Sequence, residues 1–249
     1  MNDKLTTQSY WESYYKNNHA DKAHIEAVCS RYDTYWEQFI TRKDKEQTII
    51  EIGGFPGRYL GYLAHRYQLV PTSLDYNSDH TQLEATFKLM GVDTFHILQE
   101  DFTQYQPEST YDYVLSNGFI EHFENFDSIL DHHVPYMNDD AKLLVMIPNM
   151  RGYIKFYKYL VDYQNLTIHN LKSMRLKVFR DFAERNDLKI NYLSYFGGFP
   201  FGVHQKLTFI QKVIYQIHRR FFKKIGNAYL EKHPSRFFSS SIVAIFEKN

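Results

Sequence analysis

From residue 48 onward, short apolar runs alternate with longer segments whose apolar residues recur at three- and four-residue steps. The runs at 49–52, 69–74, 96–98, 111–116, 142–147, 188–196 and 240–247 predict strands, and the segments at 58–67, 79–90, 126–136 and 170–186 predict helices. Strict alternation through residue 149 predicts a largely parallel, doubly wound α/β sheet. Residues 7–40 read as two helices broken at Asn17-Asn18. Their aromatics, Tyr10, Trp11, Tyr14 and Tyr15, then Tyr32, Tyr35, Trp36 and Phe39, stand at helical spacing. Two stretches interrupt the alternation: an aromatic one at 150–169 and a longer one at 197–239. In a doubly wound sheet, ligands sit outside the carboxyl ends of the strands. Both excursions leave from such ends and are expected to overhang the site.

Composition changes this picture in two ways. The chain has 21 Tyr and 20 Phe in 249 residues, so its core and any pocket will be strongly aromatic. Formal net charge is zero, yet residues 203–238 hold eight Lys or Arg and one acid, Glu231. Within that segment Phe209, Ile210, Val213, Ile214, Ile217, Phe221 and Ile225 follow helical steps with the cations between them. Such a helix suits a peripheral membrane or phosphate contact, or else packs its apolar face on the core. One cysteine, Cys29, rules out an internal disulfide, and the opening residues lack the apolar core of a signal peptide. A cytoplasmic protein is expected.

Candidate chemistry clusters where strands end. After 49–52 come Gly53, Gly54 and Gly57, which let backbone approach a ligand ahead of a helix start. Glu51 is a carboxylate inside an apolar strand, costly unless paired. Asp75-Tyr76 closes the second strand, where an acid can hold a ribose diol. Asp101-Phe102 follows the third.

Glu51-x-Gly53-x-x-x-Gly57, followed by Leu63-Ala64, resembles the first motif of class I S-adenosylmethionine-dependent methyltransferases, with Phe55 where that family usually has its middle glycine. The stretch YDYVLSNGFIEHFEN at 111–125 resembles the fourth-strand motif of the bacterial small-molecule members. The resemblance covers residues 48–149 and implies S-adenosylmethionine as cofactor and a Rossmann-like, doubly wound seven-stranded sheet, mostly parallel, with the last strand antiparallel and inserted near the edge. By it, Glu51, Gly53, Gly54 and Gly57 form the cofactor turn, Asp75 and Tyr76 take the ribose, and Asp101 and Phe102 the adenine. Asn117 and Gly118 would lie beside the methionine end. His122 becomes the candidate base, with Glu121 second and His204 a distant third. Residues 1–45 would form a helical lid, with Tyr14 or Tyr15 closing it, over a methyltransferase domain at 46–249.

The absence of prolines after the fourth strand departs from enzymes that methylate amino groups of adenine or glutamine. Ser116, Asn117 and Asn149 stand where metal-dependent catechol-type enzymes place acids. No H-x-x-x-H pair or cysteine cluster marks a metal site. These signs point to metal-free O-methylation of a small or carrier-linked metabolite, a sugar or phosphate-bearing one among the candidates. An RNA methyltransferase and a non-catalytic binding protein of the same fold are the alternatives.

Overall fold

β1 (Thr48–Ile52) sits mid-sheet because it is apolar on both faces: Ile50 and Ile52 enter one core cluster, Ile49 the other, and all three are fully buried. The computed structural model describes residues 4–15, 21–41, 46–77 and 79–248. Around β1 stand β2 (Val70–Asp75), β3 (His96–Gln99), β4 (Tyr111–Asn117), β5 (Met137–Pro148), β6 (Leu188–Phe196) and β7 (Ser241–Lys248). The seven strands lie in the order β3-β2-β1-β4-β5-β7-β6. β7 pairs antiparallel with both its neighbours, and the other pairs are parallel. The final strand therefore slips between β5 and β6 against the common direction, as the resemblance implies.

Helices cover both faces. On one side α1 (Gln8–Tyr15), α2 (Lys22–Cys29), α3 (Asp33–Phe39), α4 (Arg58–Tyr67) and α5 (His80–Met90) are built around Ile25, Trp36, Leu60 and Phe87. On the other lie α6 (Phe126–Asp131), α7 (Tyr153–Val161), α8 (Tyr163–Thr167), α9 (Leu176–Arg185), α10 (Phe209–Phe221) and α11 (Asn227–Lys232). Among the described residues no helix is long and apolar enough to cross a membrane.

Four local expectations change. The N-terminal region holds three helices, and the break expected at residues 17–18 lies outside the described residues. The helix expected over 126–136 stops at Asp131 and resumes as a 3-10 turn, because Pro135 has no N–H to carry the ladder onward. The helix expected from 170 starts at Leu176. Asn170 instead donates its side-chain amide to the carbonyls of Phe123 and Glu124 and accepts the N–H of Lys172, a local alternative to helix bonding. Glu121 and His122 sit in a 3-10 turn, Ile120–His122, rather than opening a helix.

The two excursions pack on each other. Lys158, buried on α7, places Nζ 2.9 Å from Asp162 and 2.6 Å from the Gly202 carbonyl. Tyr157 donates its hydroxyl to the Phe201 carbonyl, and Phe199 stacks on Phe222 at 4.0 Å. These contacts fill the α7 side. The expected apolar stripe of α10 consequently faces solvent, with Phe209 81%, Ile210 72% and Ile217 62% exposed.

Candidate active site

The carboxyl ends of β1, β2, β3 and β4 surround a cavity of about 300 Å³, at the small end of the ~300–1,000 Å³ typical of ligand pockets. The turn after β1 forms its floor. Gly53 has φ +70° and lies directly under the Phe119 ring, so a side chain there would both strain the backbone and collide with that ring. Gly57, at φ +81°, starts α4. Glu51 points away from the cavity: its Oε2 accepts the Leu60 N–H at 3.2 Å, in the first turn of α4. Burial pushes its carboxyl up to about 8. Glu51, Gly54 and Gly57 are thus absent from the cavity lining and act on its shape, whereas Gly53 lines it. Phe55, at the position usual for glycine, packs at 5.1 Å against Tyr15 and leaves the cavity open.

Asp75, Tyr76, Asp101 and Phe102 line the next wall. Asp75 accepts the N–H groups of Phe55 (3.1 Å) and Asn77 (2.8 Å), yet burial raises its pKa overall. Each oxygen keeps acceptor capacity, since an ionised carboxylate offers about four lone-pair sites. Asp101 is committed further. Burial works against its charge, but Lys4 at 2.6 Å and the hydroxyl and N–H of Thr103 outweigh it, and the pKa falls. Phe102 is buried among Phe119, His132, His133 and Tyr136.

The far end is formed by Asn117, Gly118, Phe119, His122 and Phe123. Gly118 has φ +69°, and its N–H donates to Met146 in β5, which re-aims the chain after β4. Burial lowers the His122 pKa to about 3, so the ring is neutral. Nδ1 lies 2.8 Å from the Ile168 carbonyl and must donate to it, leaving Nε2 with the lone pair. Glu121 is 1% exposed, pushed up to about 8 by burial, and its Oε2 has no hydrogen-bond partner among the described residues.

The roof comes from residues that spacing alone did not assign to the site: Lys4, Thr6, Gln8 and Trp11, with Tyr15 beside them. Lys4 bridges to Phe123, and the Leu5 N–H donates to the His122 carbonyl at 2.7 Å. Trp11 meets the His122 ring edge-on at 4.9 Å. Of the two tyrosines expected over the cofactor, Tyr15 lines the cavity and Tyr14 does not. Helical spacing of the aromatics was the available signal, and it could not say which of them turn inward.

Among the described residues neither excursion lines the cavity, which corrects the expected overhang. The first reaches the site only at its end, where His169 lies 4.6 Å from the His122 ring. The basic segment lies on α7, and His204 bonds to Asp162 there, away from the cavity.

A family model described as a methyltransferase domain matches residues 23–193. Among curated proteins the chain is similar to a probable (S)-tetrahydroprotoberberine N-methyltransferase 2 of Papaver bracteatum, 29% identical over 102 residues. That match takes in 40% of this chain and 28% of the relative, so the chain aligns with under a third of the plant protein's length. Among solved structures, one of an S-adenosylmethionine-dependent methyltransferase from Archaeoglobus fulgidus superposes with a TM-score of 0.58 at 18% identity, covering 96% of this chain and 99% of that one. Coclaurine N-methyltransferase bound to N-methylheliamine and SAH gives 0.57 at 12% identity, covering 93% and 75%.

Proposed function

Because the chain belongs to the methyltransferase domain family, as a class I S-adenosylmethionine-dependent enzyme, we propose that it transfers the cofactor's methyl group to an oxygen of a small acceptor bound at the Phe119–His122 end of the cavity. The observation that carries this reading is the meeting of Asp75, Phe102, Asn117 and Gly118 with His122 around one cavity at the strand ends. In it Asp75 takes the ribose, Phe102 and the backbone after Asp101 flank the adenine, and Gly53, Asn117 and Gly118 leave room for the methionine. Residues 4–15 serve as the lid.

Methyl transfer is an in-line displacement at carbon, in which the protein chiefly aligns the acceptor and relieves it of its proton. The lone pair of His122 Nε2, on the cavity wall, is the group suited to that task, with the Glu121 carboxyl 3.8 Å from that nitrogen and outside the lining. Among the described residues the basic segment contributes no side chain to the lining, so a phosphate-bearing acceptor and an RNA acceptor both lose their main support. Lys4, the one Lys or Arg among the described residues of the wall, is engaged with Asp101.

Calorimetric titration with S-adenosylmethionine and S-adenosylhomocysteine tests the cofactor assignment. Micromolar binding, about 8 kcal/mol, is expected. Asp75→Ala should remove roughly 2–3 kcal/mol of it by breaking charge-assisted hydrogen bonds. An unchanged affinity in the variant would move the ribose elsewhere. A second reading, methylation at nitrogen, is favoured by the plant N-methyltransferase similarity. A cofactor labelled with 13C in its methyl group separates the two, because the carbon shift of the transferred methyl tells oxygen from nitrogen.

A further inference from the structure

Glu121 and His122 come from the turn after β4, and His169 from the end of the first excursion. One donor atom from each lies within 4.8 Å of the others. The Glu121 carboxylate is buried, with Oε2 unpartnered and Oε1 3.8 Å from His122 Nε2. His169 repeats the arrangement of His122: its Nδ1 lies 2.6 Å from the Asn165 carbonyl and must donate to it, so its Nε2 carries the lone pair. Two imidazole lone pairs and the buried Glu121 carboxyl thus converge, and hydrogen bonds to the main chain hold both rings in the tautomer that leaves Nε2 free. A carbonyl on the second ring nitrogen is the usual orienting contact of a metal-bound histidine.

We propose that Glu121, His122 and His169 form a binding site for a divalent first-row transition ion. Two imidazole nitrogens and one carboxylate oxygen suit such ions, and the positive ion supplies the partner that the buried carboxylate lacks. Ligand bonds of about 2.0–2.2 Å require the three side chains to draw together from their present spacing. His122 lines the cavity while His169 and Glu121 lie behind it, so the open coordination positions face the acceptor. Resting on the methyl-transfer reading above, the ion would bind the acceptor hydroxyl and lower its pKa, so that its proton passes to solvent water and the bound alkoxide takes the methyl carbon as that carbon's bond to sulfur breaks, with His122 a ligand rather than the base. The expectation of metal-free chemistry rested on the missing strand-end acids of catechol-type enzymes and on short-range spacing, and neither can register His169.

The test uses the full chain, freed of metal by chelator and dialysis, and titrated with cobalt(II) chloride while the visible absorption is followed. One equivalent should bind with the intense d–d bands of a low-coordinate nitrogen–oxygen site. His169→Ala and Glu121→Gln should each weaken that binding at least tenfold. S-adenosylhomocysteine affinity, measured on the same samples, should change less than twofold, which shows the variants folded. Absence of the bands, or equal cobalt binding by wild type and His169→Ala, would overturn the site and return Glu121 and His122 to proton transfer. Loss of S-adenosylhomocysteine binding in the wild type would instead strike the methyltransferase reading and leave cobalt binding to be judged by the variants.

Discussion

Glu51 and Glu121 are both carboxyls buried to within a few per cent, and in both burial raises the pKa to about 8. They differ in what they meet. Glu51 caps the first turn of α4 through the Leu60 N–H, whereas Glu121 ends at an oxygen with no donor. One carboxyl completes the fold, and the other waits for something outside the chain. A buried polar group without a partner is a cost that proteins tolerate chiefly where a ligand, ion or proton will meet it. The difference separates the turn after β1 from the proposed acceptor end.

That contrast breaks most readily where a satisfied acid is removed. Asp162 is buried with Lys158 at 2.9 Å and His204 at 3.2 Å. Asp162→Ala strands the Lys158 ammonium and should cost about 3–5 kcal/mol in a urea melt. Despite burial, those partners hold the Asp162 pKa down to about 2. Its contribution is therefore full above the ordinary value of 3.8 and is lost as pH falls toward 2. Glu51 tilts stability the other way. Its carboxyl stays protonated in the fold up to about 8 while the unfolded chain ionises from 4.5. The folded state holds the extra proton, so stability falls as pH rises between those values. Glu51→Gln should flatten that slope, as read from melts across the range, with the Leu60 contact preserved.

The smallest effect should come from Glu121→Gln. Replacing the unpartnered acid should leave the melting midpoint unchanged or slightly raised, within about 0.5 kcal/mol, while methyl transfer is lost. A large destabilisation would mean that Glu121 belongs with Glu51 as a structural group.

How much of this was legible in the sequence follows the same division. Gly53, Asp75, Asp101 and Phe102 sit at the ends of strands whose apolar runs are short, local and periodic, so their convergence follows from parallel order alone. β7 slipping between β5 and β6 was likewise expected. His169 joins His122 through an excursion whose path depends on side-chain contacts such as those of Lys158, Asp162 and Asn170, and no periodicity encodes these. Which way the α10 stripe turns was left open for a related reason: helical spacing reveals an apolar face but not whether Phe199 and Phe222 have already filled the space beside α7.

The chain has two tryptophans, and their surroundings make them unequal witnesses. Trp36 is sealed in the core, with Nε1 donating to the Cys29 carbonyl at 2.9 Å, and nothing that enters the cavity touches it. Trp11 forms part of the cavity wall, edge-on to His122. Its emission therefore changes when the cavity fills, against a constant signal from Trp36. Unmodified protein carries its own optical reporter, and Trp36→Phe would isolate that signal for stopped-flow timing of how fast the roof admits and releases its guests.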